Sequence, residues 1–275
     1  MAKGSRGGKR VQAYINAGGR FPAHFARTHG INGAGVGGGS GTTGGGGSSD
    51  TVQQVQPATS ISADFNAFSQ MSDDDKADVI TSMRKQGVPA HLAQNDFQAF
   101  IYNIGLNDKP DVVDDATLNK MSGTTIYRTV NNHYDRRNDI SYNADQIAKQ
   151  IQGGSITRVS ETGGSVYGRG LYFADSKSGS AAYGGTRGNV KRTAQVRAKL
   201  NSNARIINHS NAAVGAQKEI AKGTKLGKAL AKCDYDSQAS IYALCKGYNV
   251  ITSGRGYYNV LNRQAMTMSK TISPI

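Results

Sequence analysis

The stretch "GRGLYFADSKSGSAAYG", residues 168–184, gathers the side chains best suited to chemistry. Gly168 and Gly170 flank Arg169, and Tyr172 and Phe173 follow in a strand-like run. Ser178 and Ser180 then lie in a polar turn leading to Tyr183. A flat, weakly polar ring is held best by aromatic stacking plus one or two hydrogen bonds, and tyrosines beside serine hydroxyls supply both. Glycines ahead of the strand let the backbone approach a ligand closely. The same residues also describe an ordinary β-strand with buried Tyr and Phe, entering a helix through a cap at Asp175 or Ser176.

The other reactive side chains form no such group. Cys233 and Cys245 match no zinc or redox spacing and are read as free thiols of a reducing compartment. His24, His29, His91, His133 and His209 are scattered at no ligand spacing, so no metal site is expected.

Several elements must position the aromatic stretch. "MSDDDKADVITSMRKQG" predicts a helix, with Ser72 as N-cap, Asp73 to Asp75 in the first turn and Arg84 and Lys85 near the end. Ala77, Ile80 and Met83 share its inner face. "NDFQAFIYNIGLNDKP" predicts a second helix with Phe97, Phe100, Ile101 and Ile104 inward. From residue 122 short β-like runs appear: "TTIYRTV", "GLYFA", "AQVRAKL", "ARIIN", "YNVIT" and "YYNVLN". The helical stretches "NADQIAKQI" and "SQASIYALCKG" lie between them. Many short strands with intervening helices give an α+β domain with antiparallel pairing. "AVGAQKEIAKGTKLGKALAK" reads as one further helix with Lys218, Lys222, Lys225 and Lys232 on roughly one face and Lys228 beside it. That cationic stripe could grip phosphates or be a solvated face; Gly215, Gly223 and Gly227 weaken the helix.

The chain of 275 residues carries a net charge of +14, distributed as +5 over residues 1–60, −5 over 61–120 and +14 over 121–275. Such a balance suits polyanionic neighbours, including a non-specific DNA contact, or simply keeps the surface soluble. No run of ~18 apolar residues is present, so no membrane span is expected. The basic start has no apolar region behind it and gives no secretory signal. Residues 1–29 mix Tyr14, Ile15, Phe21 and Phe25 with arginines and read as a basic anchor. Residues 30–60 form a Gly/Ser-rich linker, 61–121 a helical segment and 122–275 the main domain.

The motif "GRGLYFADSKSGSAAYG" resembles the nucleotide-site motif of the ADP-ribosyltransferase superfamily, in its poly(ADP-ribose) polymerase and diphtheria-toxin branch. The matching residues are Gly168, Gly170, Leu171, Tyr172, Phe173, Ala174, Ser178 or Ser180, and Tyr183. "TTIYRTV" looks like the family's first core strand, with Arg128 at its key position and Thr129 where glycine is usual. "ALCKGYNVITSGRGYYNVLNRQAMTMS" is similar to its C-terminal strand pair in phage-encoded members. The resemblance covers roughly residues 122–270 by motif order. It implies a split antiparallel β core with flanking helices, here preceded by a small helical segment and a Gly-rich arm. It also implies NAD as cofactor: Tyr172 and Tyr183 would sandwich the nicotinamide, Gly170 would allow close approach, and Ser178 or Ser180 would bond the carboxamide. Arg128 would hold the pyrophosphate or ribose through its planar fork.

The family's catalytic glutamate belongs near the start of the late strand, where Tyr257 stands. A fixed carboxylate there stabilises a cationic transition state, and a phenol of pKa near ~10 cannot replace it electrostatically. The only glutamates are Glu161 and Glu219, and no acid lies between Asp236 and the C-terminus. Either Glu161 reaches in as the catalytic acid beside Arg128, or the fold has become a scaffold. Two functions follow from the resemblance. One is an active mono-ADP-ribosyltransferase modifying a host protein in the bacterial cytoplasm. The other is a phage-particle protein attached through residues 1–50, with degraded or absent catalysis. A basic aromatic arm on a ~20-residue glycine leash favours the second.

Overall fold

A computed structural model describes residues 65, 68–83, 95–104, 109–135, 140–153, 168–183 and 193–274. The expected anchor, the linker and Glu161 lie outside the described residues. In chain order the elements are α1 (Asp73–Met83), α2 (Asp96–Ile104), β1 (Asp111–Val113), α3 (Asp115–Lys120), β2 (Thr125–Asn131), β3 (His133–Asp135), β4 (Ile140–Tyr142) and α4 (Ala144–Gln152). Then come β5 (Leu171–Ala174), α5 (Lys177–Tyr183), β6 (Thr193–Leu200), β7 (Ile206–Asn208), α6 (His209–Ala221), α7 (Lys225–Leu230), α8 (Tyr235–Cys245), β8 (Val250–Thr252), β9 (Tyr257–Val260) and β10 (Met266–Pro274). The fold is α+β.

Helix starts follow their side chains. The Ser72 hydroxyl accepts the Asp75 N–H at 3.2 Å, with three aspartates in the first turn of α1. Asn143 and Gln146 form a capping box at the start of α4. The N-termini of α2 and α8 cap each other: the Asp96 N–H donates to Asp234 Oδ2 at 2.9 Å and the Asp234 N–H to Asp96 Oδ2 at 2.6 Å. The long helix expected over the lysine-rich stretch is instead two helices. Gly223, at φ +63°, ends the first, and the Thr224 hydroxyl caps the second by accepting the Gly227 N–H at 3.0 Å. A left-handed glycine followed by a threonine cap outweighs the continuous spacing of lysines.

Among the described residues the strands form an eight-stranded sheet in the order β1-β10-β6-β2-β5-β9-β8-β7, and a separate β3–β4 pair. Neighbours run antiparallel except β1/β10 and β7/β8. One junction is narrow. β2 meets β6 from Thr125↔Lys199 to Asn131↔Thr193, but it meets β5 only at Tyr127↔Ala174. The two halves of the sheet therefore meet at a single rung and splay apart beyond it.

Alternation sorts the faces. Ile126, Val130, Leu171, Phe173, Val196, Ala198 and Val260 are buried on one face beneath Ile147 and Ile151 of α4. A second core joins α1 and α2 to α6, α7 and α8 over Ile251 and Leu261. Phe68, Ile80, Phe97, Phe100 and Ile104 are among the largest fully buried side chains and all come from the N-terminal helical segment. At ~1.5–3 kcal/mol each, these five contribute on the order of 10 kcal/mol, comparable with the net stability of a whole domain. The helical segment is thus part of what keeps this side of the sheet folded.

Candidate functional site

The Gly168–Gly170 turn enters β5 under constraint from two elements distant in sequence. The Arg169 carbonyl accepts from Ser240 Oγ of α8 at 2.7 Å and from Asn259 Nδ2 of β9 at 3.1 Å. The Arg169 N–H donates to the Asp236 carbonyl at 3.1 Å, and its guanidinium pairs with the Asp236 carboxylate at 3.2 Å. Gly170 has φ +149°, and a Cβ there would collide with the Asn259 side chain and stand 3.1 Å from Leu261 Cδ2. Here the close approach that glycine permits is to the protein's own β9, at the point where the resemblance expects a ligand.

Tyr172 and Arg128 are brought together, though not as a pair of side chains. Tyr172 lies two residues from Ala174, so it shares the sheet face of Tyr127 and Thr129. Its half-buried ring is fixed by a hydrogen bond from its hydroxyl to the Gly168 carbonyl. Arg128 alternates with Ile126 and Val130 and belongs to the α4 face. Its Nη1 donates to the Tyr172 carbonyl at 3.0 Å, and the residue is only 6% exposed. The guanidinium bridges β2 and β5 where the backbone ladder has splayed, standing in for a missing rung.

Ser180, 3% exposed on α5, sits over the Thr129 side of that gap. Its Oγ lies 2.9 Å from Thr129 Oγ1, receives Gln195 Nε2 at 2.7 Å and donates to the Lys177 carbonyl at 3.0 Å. Gln195 Nε2 also reaches Thr129 Oγ1 at 3.3 Å and the Lys177 carbonyl at 3.2 Å. A serine hydroxyl has one proton and two lone pairs, so these three partners saturate it. The residues present therefore do not fit a bound nicotinamide carboxamide at Ser180. Ser178 is exposed, and the side chain of Tyr183 lies outside the described residues.

Tyr257, half-buried, opens β9 and pairs with Ala174. It completes a transverse row of Arg197, Tyr127, Ala174 and Tyr257 on the Tyr172 face. A carboxylate does approach this end of β9. The Asp175 N–H donates to the Gly256 carbonyl at 2.8 Å, and a Cβ on Gly256 would stand 2.8 Å from Asp175 Cγ. Asp175 is exposed, and the sequence suggested for it only a cap. Gln195 and Asn259 were also missed. Nothing local marks them, because their partners lie 15 to 90 residues away.

Cys245 and Asp115 are among the groups whose titration is shifted. Burial pushes the Cys245 thiol up to about 12, and both cysteines are buried and free. Hydrogen bonds from Ser269 and Thr271, with Arg197 beside it, hold the Asp115 carboxyl below its ordinary value. Among the described residues no cluster of His, Cys, Asp and Glu could hold a metal ion, and no helix is long and apolar enough to cross a membrane. No protein-family model, curated protein or solved structure matches the chain.

Proposed function

We propose that this chain is a phage-type ADP-ribosyltransferase-fold protein whose transferase chemistry is degraded or absent, carried in the particle through its N-terminal 50 residues. One observation carries the reading: the Ser180 hydroxyl is saturated by Thr129, Gln195 and Lys177. Thr129, standing where the family uses glycine, supplies one of those partners. Tyr257, standing where the family uses glutamate, leaves no carboxylate on the late strand. The Gly-rich leash and basic aromatic arm suit attachment better than turnover.

The test is nicotinamide release from NAD by the purified full chain. The expected result is none above the blank. Release at an enzymatic rate that disappears in Tyr172→Ala would overturn the reading. A second reading, an active NAD-dependent mono-ADP-ribosyltransferase modifying a host protein, is favoured by Asp175, whose carboxylate rests at the start of β9. On that reading release occurs and Asp175→Asn abolishes it.

A further inference from the structure

Helices α6 and α7, with the residues that follow each, carry Lys218, Lys222, Lys225, Lys228 and Lys232, all exposed, around the elbow at Gly223. The inner side is fixed. α6 buries Ala212 and Ala216, α7 buries Leu226, Ala229 and Leu230, and the Thr224 hydroxyl ties the corner to Glu219 Oε1 at 2.7 Å. Residues 209–232 contain one acid, Glu219, and it is buried in that corner with Lys222 3.8 Å away. Lys225 pairs with Asp78 of α1 at 2.6 Å. Among the described residues, Lys218, Lys228 and Lys232 have no ion-pair partner.

Like charges on a fixed scaffold repel, and a face that concentrates them raises the local concentration of anions. The shape of that anion follows from what accompanies the lysines. Residues 210–232 include no arginine and no aromatic side chain. The arginine fork that most often reads guanine and the aromatic platforms that stack on splayed single-strand bases are therefore both missing from this stretch. What remains is a cluster of ammonium point charges, with Lys218 and Lys222 about 6 Å apart along their helix. Duplex DNA carries one negative charge per ~1.7 Å of axis, so this spacing meets phosphates in any register.

We propose that the α6–α7 elbow is a contact surface for the phosphate backbone of double-stranded nucleic acid, without sequence preference. The surface does not depend on the proposed ADP-ribosyltransferase fold and is tested separately from it.

The experiment uses the full chain and a labelled 20-base-pair DNA, with affinity followed by anisotropy between 50 and 200 mM salt. The variant Lys218→Gln, Lys222→Gln, Lys228→Gln, Lys232→Gln is compared with Lys120→Gln, Lys149→Gln, Lys177→Gln, Lys270→Gln, which removes the same charge elsewhere. The elbow variant is expected to lose at least ~10-fold in affinity at low salt. Its slope of log K against log salt should become shallower by about 3 to 4, near 0.9 per phosphate released. The control should keep most of both. Equal losses in the two variants, or no duplex binding by the parent chain, overturn the proposal. So does tighter binding of a single strand of the same length, or displacement of the duplex by polyglutamate of equal charge.

Discussion

Replacing Arg128 with methionine tests whether its guanidinium holds the sheet together. The side chain is 6% exposed, and its Nη1 donates to the Tyr172 carbonyl at 3.0 Å, beside the single Tyr127↔Ala174 rung. Removing a charged donor from a buried carbonyl costs about 1.5–3 kcal/mol. Methionine no longer has to desolvate a cation, which returns part of that and leaves a net loss on the order of 1–2 kcal/mol. For a folded unit of this size, 1 kcal/mol moves the melting temperature by roughly 2–4 °C, so calorimetry should show a fall of roughly 2–8 °C. Arg128→Lys keeps the charge but loses the planar fork, and should fall between parent and methionine variant. A methionine variant that melts at or above the parent temperature refutes the reasoning. It would mean that the guanidinium is held in the gap at a cost to stability, as expected of a group kept for a ligand.

Gly170→Ala should be the more damaging of two glycine substitutions, since its Cβ meets Asn259 and Leu261, whereas Gly223 has open space around it. Urea midpoints should fall by an amount equivalent to about 2–3 kcal/mol for the first and about 1 kcal/mol for the second, and the reverse order would contradict the clasp. Cys233 and Cys245 should resist maleimide in the native protein even at mildly alkaline pH, because both are buried and the Cys245 thiol is pushed up to about 12; labelling at the rate of the urea-unfolded chain would disprove their burial. Asp115 has a folded pKa below its ordinary 3.8, so its stabilisation is full above 3.8 and lost as pH falls through the folded value. Asp115→Asn should lower the urea midpoint modestly at neutral pH, with the difference closing in acid, since the side chain is 44% exposed.

The parts of the fold visible in the sequence were those set by neighbours in the chain. Ser72 with three aspartates starts α1 where expected, Ala77, Ile80 and Met83 all turn inward, and every quoted β-like run contains a strand. The elbow at Gly223 was weakly signalled, because glycine lowers helix propensity without fixing a φ. What the sequence could not display was long-range pairing. The same Gly-x-Gly pattern fits a ligand cradle or a clasp by a strand 90 residues away, and only the Asn259 contact separates them. Ser180 likewise reads as an available hydroxyl until Gln195, on a strand with no local link to it, is placed 2.7 Å away.

Thr129 and Tyr257, the two positions at which the proposed resemblance departs from its family pattern, lie on one sheet face and on opposite sides of β5. Their physical effects are complementary. On the proposed reading Thr129 supplies Ser180 with a partner where glycine would leave it open, and Tyr257 supplies no charge where a carboxylate would stabilise a cation. Either change alone would leave a selectable remnant, a binder without chemistry or an acid without a bound substrate. On that reading the two together exchange ligand recognition for internal bonds. Thr129→Gly should then raise NAD affinity without producing release, and Tyr257→Glu alone should do neither. Only the double variant should show nicotinamide release. Release from Tyr257→Glu alone would show that Ser180 was never the obstacle.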